Sequence, residues 1–84
     1  MKKIEIYTKS YCTYCQRAKD LLRSKNVRFT EYDVTDDPEG QQEMRRRSGR
    51  TTVPEIFIDD RLIGGCDDLM ALEANGALDR LLGE

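Results

Sequence analysis

The stretch Ile4-Glu5-Ile6-Tyr7-Thr8-Lys9-Ser10-Tyr11-Cys12-Thr13-Tyr14-Cys15 joins an alternating segment to a helical one through a short loop, and two thiols stand at the junction. Ile4, Ile6 and Thr8 alternate with Glu5 and Tyr7, a period of two that predicts a short strand. From Cys12 onward Cys15, Ala18, Leu21 and Leu22 recur at helical spacing, while Gln16, Arg17, Lys19, Asp20 and Arg23 take the opposite, solvent-facing side. Side chains at i and i+3 share a helix face with β-carbons about 5–6 Å apart, near enough to close a disulfide and reopen it. A C-x-x-C pair in that setting points to thiol–disulfide exchange rather than to a structural bridge.

Working outward, Asn26 tolerates the left-handed conformation that ends a helix, and residues 27–34 read as a second strand. A strand–helix–strand unit of this length implies a parallel pair with a right-handed crossover. Asp36-Asp37-Pro38 supplies acidic caps and a first-turn proline, so a second helix is expected from Pro38 to about Ser48, with Met44 as its only strong core residue. Residues 55–59 and 61–64 flank a tight turn and read as an antiparallel hairpin. Asp67 or Asp68 is expected to cap a third helix carrying Leu69, Met70 and Leu72, which stops at Asn75-Gly76 before a last short helix with Leu78, Leu81 and Leu82. The order β-α-β-α-β-β-α-α describes a four-stranded mixed sheet flanked by helices, an α/β thioredoxin-like architecture occupying residues 1–84 as a single domain.

Composition narrows the chemistry. The 84 residues are 38% hydrophobic, enough for one modest core. Fourteen basic against sixteen acidic side chains leave a net charge of -2, so no global field favours nucleic acid or an anionic membrane. Arg45-Arg46-Arg47 is the one concentrated basic run and reads as the solvated C-terminal end of a helix, where cations are favoured, over an anion-binding patch. No apolar run approaches the ~20 residues that span a bilayer. Three cysteines leave one unpaired however two join, which fits a reducing compartment, and the cytoplasm is the expected location of a soluble, unprocessed monomer. Histidine is absent, which removes Cys/His and Ser/His/Asp catalysis and Cys/His zinc sites together, and no metal is expected.

The thiols must therefore be activated by other means. An ordinary cysteine near pKa ~8.5 is only a few per cent thiolate at neutral pH. Cys12 stands where the helix begins, so its sulfur can receive the unpaired N–H groups of Tyr14 and Cys15. A shift of three pKa units would require about 4 kcal/mol, whereas a helix end supplies about 0.3–1 and at most about 2. Direct N–H···S bonds and the ammonium of Lys9 are the available additions, which gives Lys9 a supporting role beside its alternative as a surface lysine. Cys15, deeper in the helix, is expected to resolve rather than attack. Val53-Pro54 reads equally as a proline tolerated at a strand start or as backbone presented to a ligand. Cys66 reads as a small buried filler, or as a thiol open to oxidation.

Several blocks in order carry a resemblance: Ile6-Tyr7-Thr8-Lys9 before Cys12-x-Tyr14-Cys15, Ser48-Gly49-Arg50-Thr51-Thr52-Val53-Pro54, Ile56-Phe57-Ile58-Asp59, and Gly64-Gly65-Cys66-Asp67-Asp68-Leu69. The chain resembles the glutaredoxin family, in its small bacterial dithiol form, over essentially its whole length. The resemblance implies glutathione as reductant and co-substrate, with Cys12 and Cys15 catalytic. It implies reduction of protein disulfides and glutathionylated proteins, ribonucleotide reductase being a candidate partner. It implies a cis peptide before Pro54 and glutathione contacts from Lys9, Tyr14, Thr52, Val53 and Asp67, with Pro54, Gly65 and Cys66 in the same groove and Asp68 and Arg50 as further candidates. A helix N-terminus behind Gly65-Cys66 would take the γ-glutamyl carboxylate and an aspartate the ammonium, while the other aspartate caps the helix.

Thr13 stands where glutaredoxins of this type commonly have proline. Threonine restores an N–H and a hydroxyl beside the sulfur and frees the local backbone. Some glutaredoxins without this proline hold a [2Fe–2S] cluster between two protomers, so the resemblance carries a second expectation, an iron–sulfur carrier or sensor, behind the reductase.

Overall fold

A computed structural model describes residues 2–83. The elements follow the expected order: β1 (Ile4–Thr8), α1 (Thr13–Ser24), β2 (Thr30–Asp33), α2 (Pro38–Ser48), β3 (Glu55–Ile58), β4 (Arg61–Gly64), α3 (Cys66–Ala74) and α4 (Ala77–Leu81). They build one four-stranded mixed sheet in the order β2-β1-β3-β4, with β1 parallel to β2 and antiparallel to β3, and β3 antiparallel to β4. This is the thioredoxin-like fold.

The alternation in β1 divides two cores rather than core from solvent. Ile4 and Ile6 face Ile56, Ile58, Ala18, Leu22, Leu69, Leu78 and Leu82 on one side of the sheet. Tyr7 packs with Phe57, Val34 and Met44 on the other. Every residue of β1 is buried, including Glu5 and Thr8, because helices or long side chains cover both faces of this central strand. The second strand is shorter than expected. Asn26 turns the chain at φ 58°, Val27 and Phe29 pack on the first core outside any strand, and only Thr30–Asp33 pair with β1 as an exposed edge.

Local signals set most boundaries. Asp37 caps α2, its carboxylate accepting from the Gly40 N–H at 3.0 Å, Pro38 occupies the first turn, and Gly49 ends the helix at φ 72°. Asp59 and Asp60, at φ 50° and 67°, make the two-residue turn of the hairpin. The third helix starts at least two residues earlier than the acidic pair suggested. Gly65 is its N-cap, and Asp68, in the first turn, reaches back so that Oδ2 accepts from the Gly65 N–H at 3.0 Å. Neither aspartate is the N-cap.

Two basic residues assigned to solvent are inside. Arg47 folds its guanidinium under α2, donating to Glu5 Oε1 at 3.0 Å and to the Tyr7 hydroxyl at 3.0 Å, and lies 4.0 Å from the centre of the Phe57 ring. Burial pushes the Glu5 carboxyl up, but hydrogen bonds from Arg47 and Tyr32 outweigh it and leave the group below its ordinary value. Lys19 lies against the sheet on α1, its ammonium donating to Glu31 Oε2 at 2.9 Å. In both cases a carboxylate from a strand distant in sequence draws the cation inward. Arg45 and Arg46 remain exposed, as a helix end should be.

Candidate functional site

The topology brings the two predicted site segments together. Strands β1 and β3 are antiparallel neighbours, so the C-terminal end of β1, which leads to Cys12, lies beside the start of β3, which follows Pro54; Tyr7 is paired with Glu55 there. Cys12 is the N-cap of α1 in extended backbone (φ -99°, ψ 110°). Its N–H donates to the Lys9 carbonyl at 3.3 Å and its own carbonyl accepts from Gln16 at 3.2 Å, so the loop and the first helical turn hold it from both sides.

The Cys12 sulfur accepts the Cys15 N–H at 3.1 Å. The Tyr14 amide, the other expected donor, makes no such bond among the described residues; an N-cap side chain in this rotamer serves the third helical residue instead of the second. On its other side the Cys12 thiol donates to the Val53 carbonyl at 3.7 Å. Cys12 is half-buried and Cys15 has no exposed surface. Burial, joined by a hydrogen bond to the Cys12 sulfur, pushes the Cys15 thiol up to about 12, while the Lys9 backbone and the charge of Lys19 pull it partly back. One thiol is therefore presented and the other is stored protonated behind it.

Beside this pair lies a groove of about 330 Å³. Tyr14, more than half exposed, forms one wall; Thr52, Val53 and Pro54 form the opposite side, with the Val53–Pro54 peptide cis. Gly65, Cys66, Asp67 and Asp68 close the end at the start of α3. Val53 lines the groove, and among the described residues its backbone N–H makes no hydrogen bond. The structure thus gathers every residue singled out for this groove except Lys9, which does not line it and whose ammonium makes no ion pair among the described residues. Burial pushes the Cys66 thiol up, and its side chain packs in the core behind the groove.

Two charged residues complete the floor. Arg50 places Nη1 3.6 Å from Asp68 Oδ2 and 3.8 Å from Glu55 Oε1, outside hydrogen-bond reach of either. Glu55 was missed by sequence reasoning. It is 1% exposed; Oε2 accepts from the Thr52 hydroxyl at 3.0 Å, and Oε1 has no hydrogen bond. Burial raises its carboxyl above the ordinary value. The available signal was a charged side chain between Pro54 and the apolar run Ile56-Phe57-Ile58. Among the described residues no group of three or more His, Cys, Asp or Glu is placed to hold a metal ion.

A presented thiol at a helix N-terminus, a buried partner one turn on, and a cis-proline backbone opposite them on a thioredoxin-like sheet define a thiol–disulfide oxidoreductase. Comparison with known proteins sharpens the class. The glutaredoxin family model matches residues 4–63. Glutaredoxin 3 of Escherichia coli K12 is 58% identical over 82 residues, covering 98% of this chain and 99% of the relative. The crystal structure of the buckwheat glutaredoxin–glutathione complex superposes with a TM-score of 0.87 at 31% identity, covering 96% of this chain and 76% of that one. The solution structure of glutaredoxin from Brucella melitensis gives 0.83 at 52% identity, covering 95% and 87%. The chain belongs to the glutaredoxin family.

Proposed function

We propose that the protein is a glutathione-dependent reductase of protein disulfides and glutathione mixed disulfides, with Cys12 as nucleophile and Cys15 as resolving thiol. The observation that carries this reading is the position of the Cys12 sulfur, 3.7 Å from the Val53 carbonyl at the edge of a groove that offers the free Val53 N–H to an extended peptide. Glutathione is such a peptide, and the buckwheat relative is a glutathione complex. Its cysteine would pair with the Val53 backbone. Its γ-glutamyl carboxylate would meet the start of α3 and its ammonium Asp67, with Tyr14 and Thr52 bordering the ligand. Lys9 lies outside the groove wall, which leaves it a supporting charge at the loop.

In the cycle, the Cys12 thiolate attacks one sulfur of the substrate disulfide, the S–S bond breaks, and the other sulfur departs as thiolate and takes a proton from water. The mixed disulfide is then broken by Cys15, giving the Cys12–Cys15 disulfide, or by a glutathione thiolate. Cys66, buried in packing, takes no part. Oxidised glutathione added to Cys15→Ser should leave a single glutathione on Cys12, read by intact mass and peptide mapping, with the amide resonances of Val53 and Asp67 displaced. An adduct on Cys66 instead, or displacements confined to a different face, would refute the assignment.

A further inference from the structure

Lys19 is the most deeply buried basic residue among those described, and the mechanism above gives it no task. Its ammonium donates to Glu31 Oε2 at 2.9 Å, and the same oxygen accepts from the Thr8 hydroxyl at 2.7 Å. These bonds hold the Glu31 carboxyl below its ordinary value. A structural explanation alone is weak, since Lys19 is desolvated on the buried face of α1 while its partner Glu31 lies on the exposed edge strand, and an apolar side chain of similar volume at position 19 often serves stability as well. What distinguishes the position is its neighbour. Lys19 follows Cys15 by one helical turn on the buried face of α1, so the two side chains share one face against the sheet.

The resolving step makes a demand there. While Cys12 is a thiol or thiolate, the Cys15 S–H has the Cys12 sulfur to bond. Once Cys12 is in a mixed disulfide, Cys15 must lose its proton from a buried position without that partner. Besides Cys12, the groups acting on the Cys15 sulfur are the Lys9 backbone and the charge of Lys19, which is the one cation among them. We propose that Lys19 is the positioning residue of the resolving half-reaction, its ammonium fixed by Glu31 and Thr8 so that it stabilises the Cys15 thiolate as that anion forms. The inference rests on Cys15 being the resolving thiol. In the step, the Cys15 proton passes to solvent, the Cys15 thiolate attacks the Cys12 sulfur, the bond from Cys12 to the substrate sulfur breaks, and the substrate leaves as thiolate.

A nitrothiobenzoate disulfide separates the two halves in one stopped-flow trace: the first coloured thiolate released reports attack by Cys12, the second resolution by Cys15. In Lys19→Met, each unit by which the Cys15 pKa rises lowers the thiolate fraction tenfold but makes the thiolate more nucleophilic, so the second phase should slow about threefold per unit. The first phase should be unchanged, and the pH profile of the second displaced upward. Glu31→Gln removes the opposing charge and should speed the second phase, while Lys19→Arg should stay near wild type. Loosened packing would slow Lys19→Met and Glu31→Gln alike; that result, or a second phase unchanged in both, overturns the proposal. Release of only one equivalent by Cys15→Ser supports the underlying assignment independently, and release of two would refute that assignment instead.

Discussion

At Glu55 a carboxyl group is sealed under the groove with one oxygen hydrogen-bonded and the other not. A raised carboxyl in the folded state binds its proton more tightly than in the unfolded chain. Between the ordinary value of 4.5 and the raised value, stability therefore falls as pH rises, and the loss is complete above the folded-state value. Glu55→Gln should be more stable than wild type by about 1–2 kcal/mol near neutrality, with no difference well below the ordinary glutamate range, checked by denaturant titration across pH. A difference that persists in acid would mean the gain comes from elsewhere. The unequal burial of Cys12 and Cys15 was legible because it follows from helix position, whereas that of Glu55 was not, since it depends on the groove that Arg50, Thr52 and the start of α3 build around it.

At the scale of elements, α2 is the most weakly founded helix, with Met44 its one buried residue. Arg47 compensates by reaching under the helix to Glu5, Tyr7 and Phe57 in the sheet. Truncating it leaves the Glu5 carboxylate buried with only the Tyr32 hydroxyl and the exposed Lys3 ammonium at 3.9 Å, so Arg47→Ala should cost about 3 kcal/mol. Arg45→Ala, in the same run but exposed, should fall within about 0.5 kcal/mol of wild type, both read by urea denaturation. Equal effects would return the run to the solvated helix end that the sequence suggested. The bounds of α2 were readable because Asp37, Pro38 and Gly49 act locally. The inward turns of Lys19 and Arg47 were hidden because their partners, Glu31 and Glu5, come from strands that only the folded sheet brings near.

For the whole molecule, the decisive feature is that antiparallel pairing of β1 with β3 sets the loop before Cys12 against Val53-Pro54, so two segments about 40 residues apart make one site. The sequence carried the element order and the mixed sheet; the pairing of β1 with β3, the depth of the groove and its charged floor needed the structure. The Cys12 thiol, the Val53 backbone and the start of α3 then lie at one groove with Cys15 buried behind Cys12, and the central claim is that this site performs glutathione-linked exchange through unequal cysteines. The most direct test is a glutathione-coupled disulfide reductase assay on wild type, Cys12→Ser and Cys15→Ser, with a protein disulfide and a glutathione mixed disulfide as substrates. Cys12→Ser should be inactive on both, and Cys15→Ser should lose the protein disulfide while still processing the glutathione mixed disulfide. Activity retained in Cys12→Ser would contradict the account.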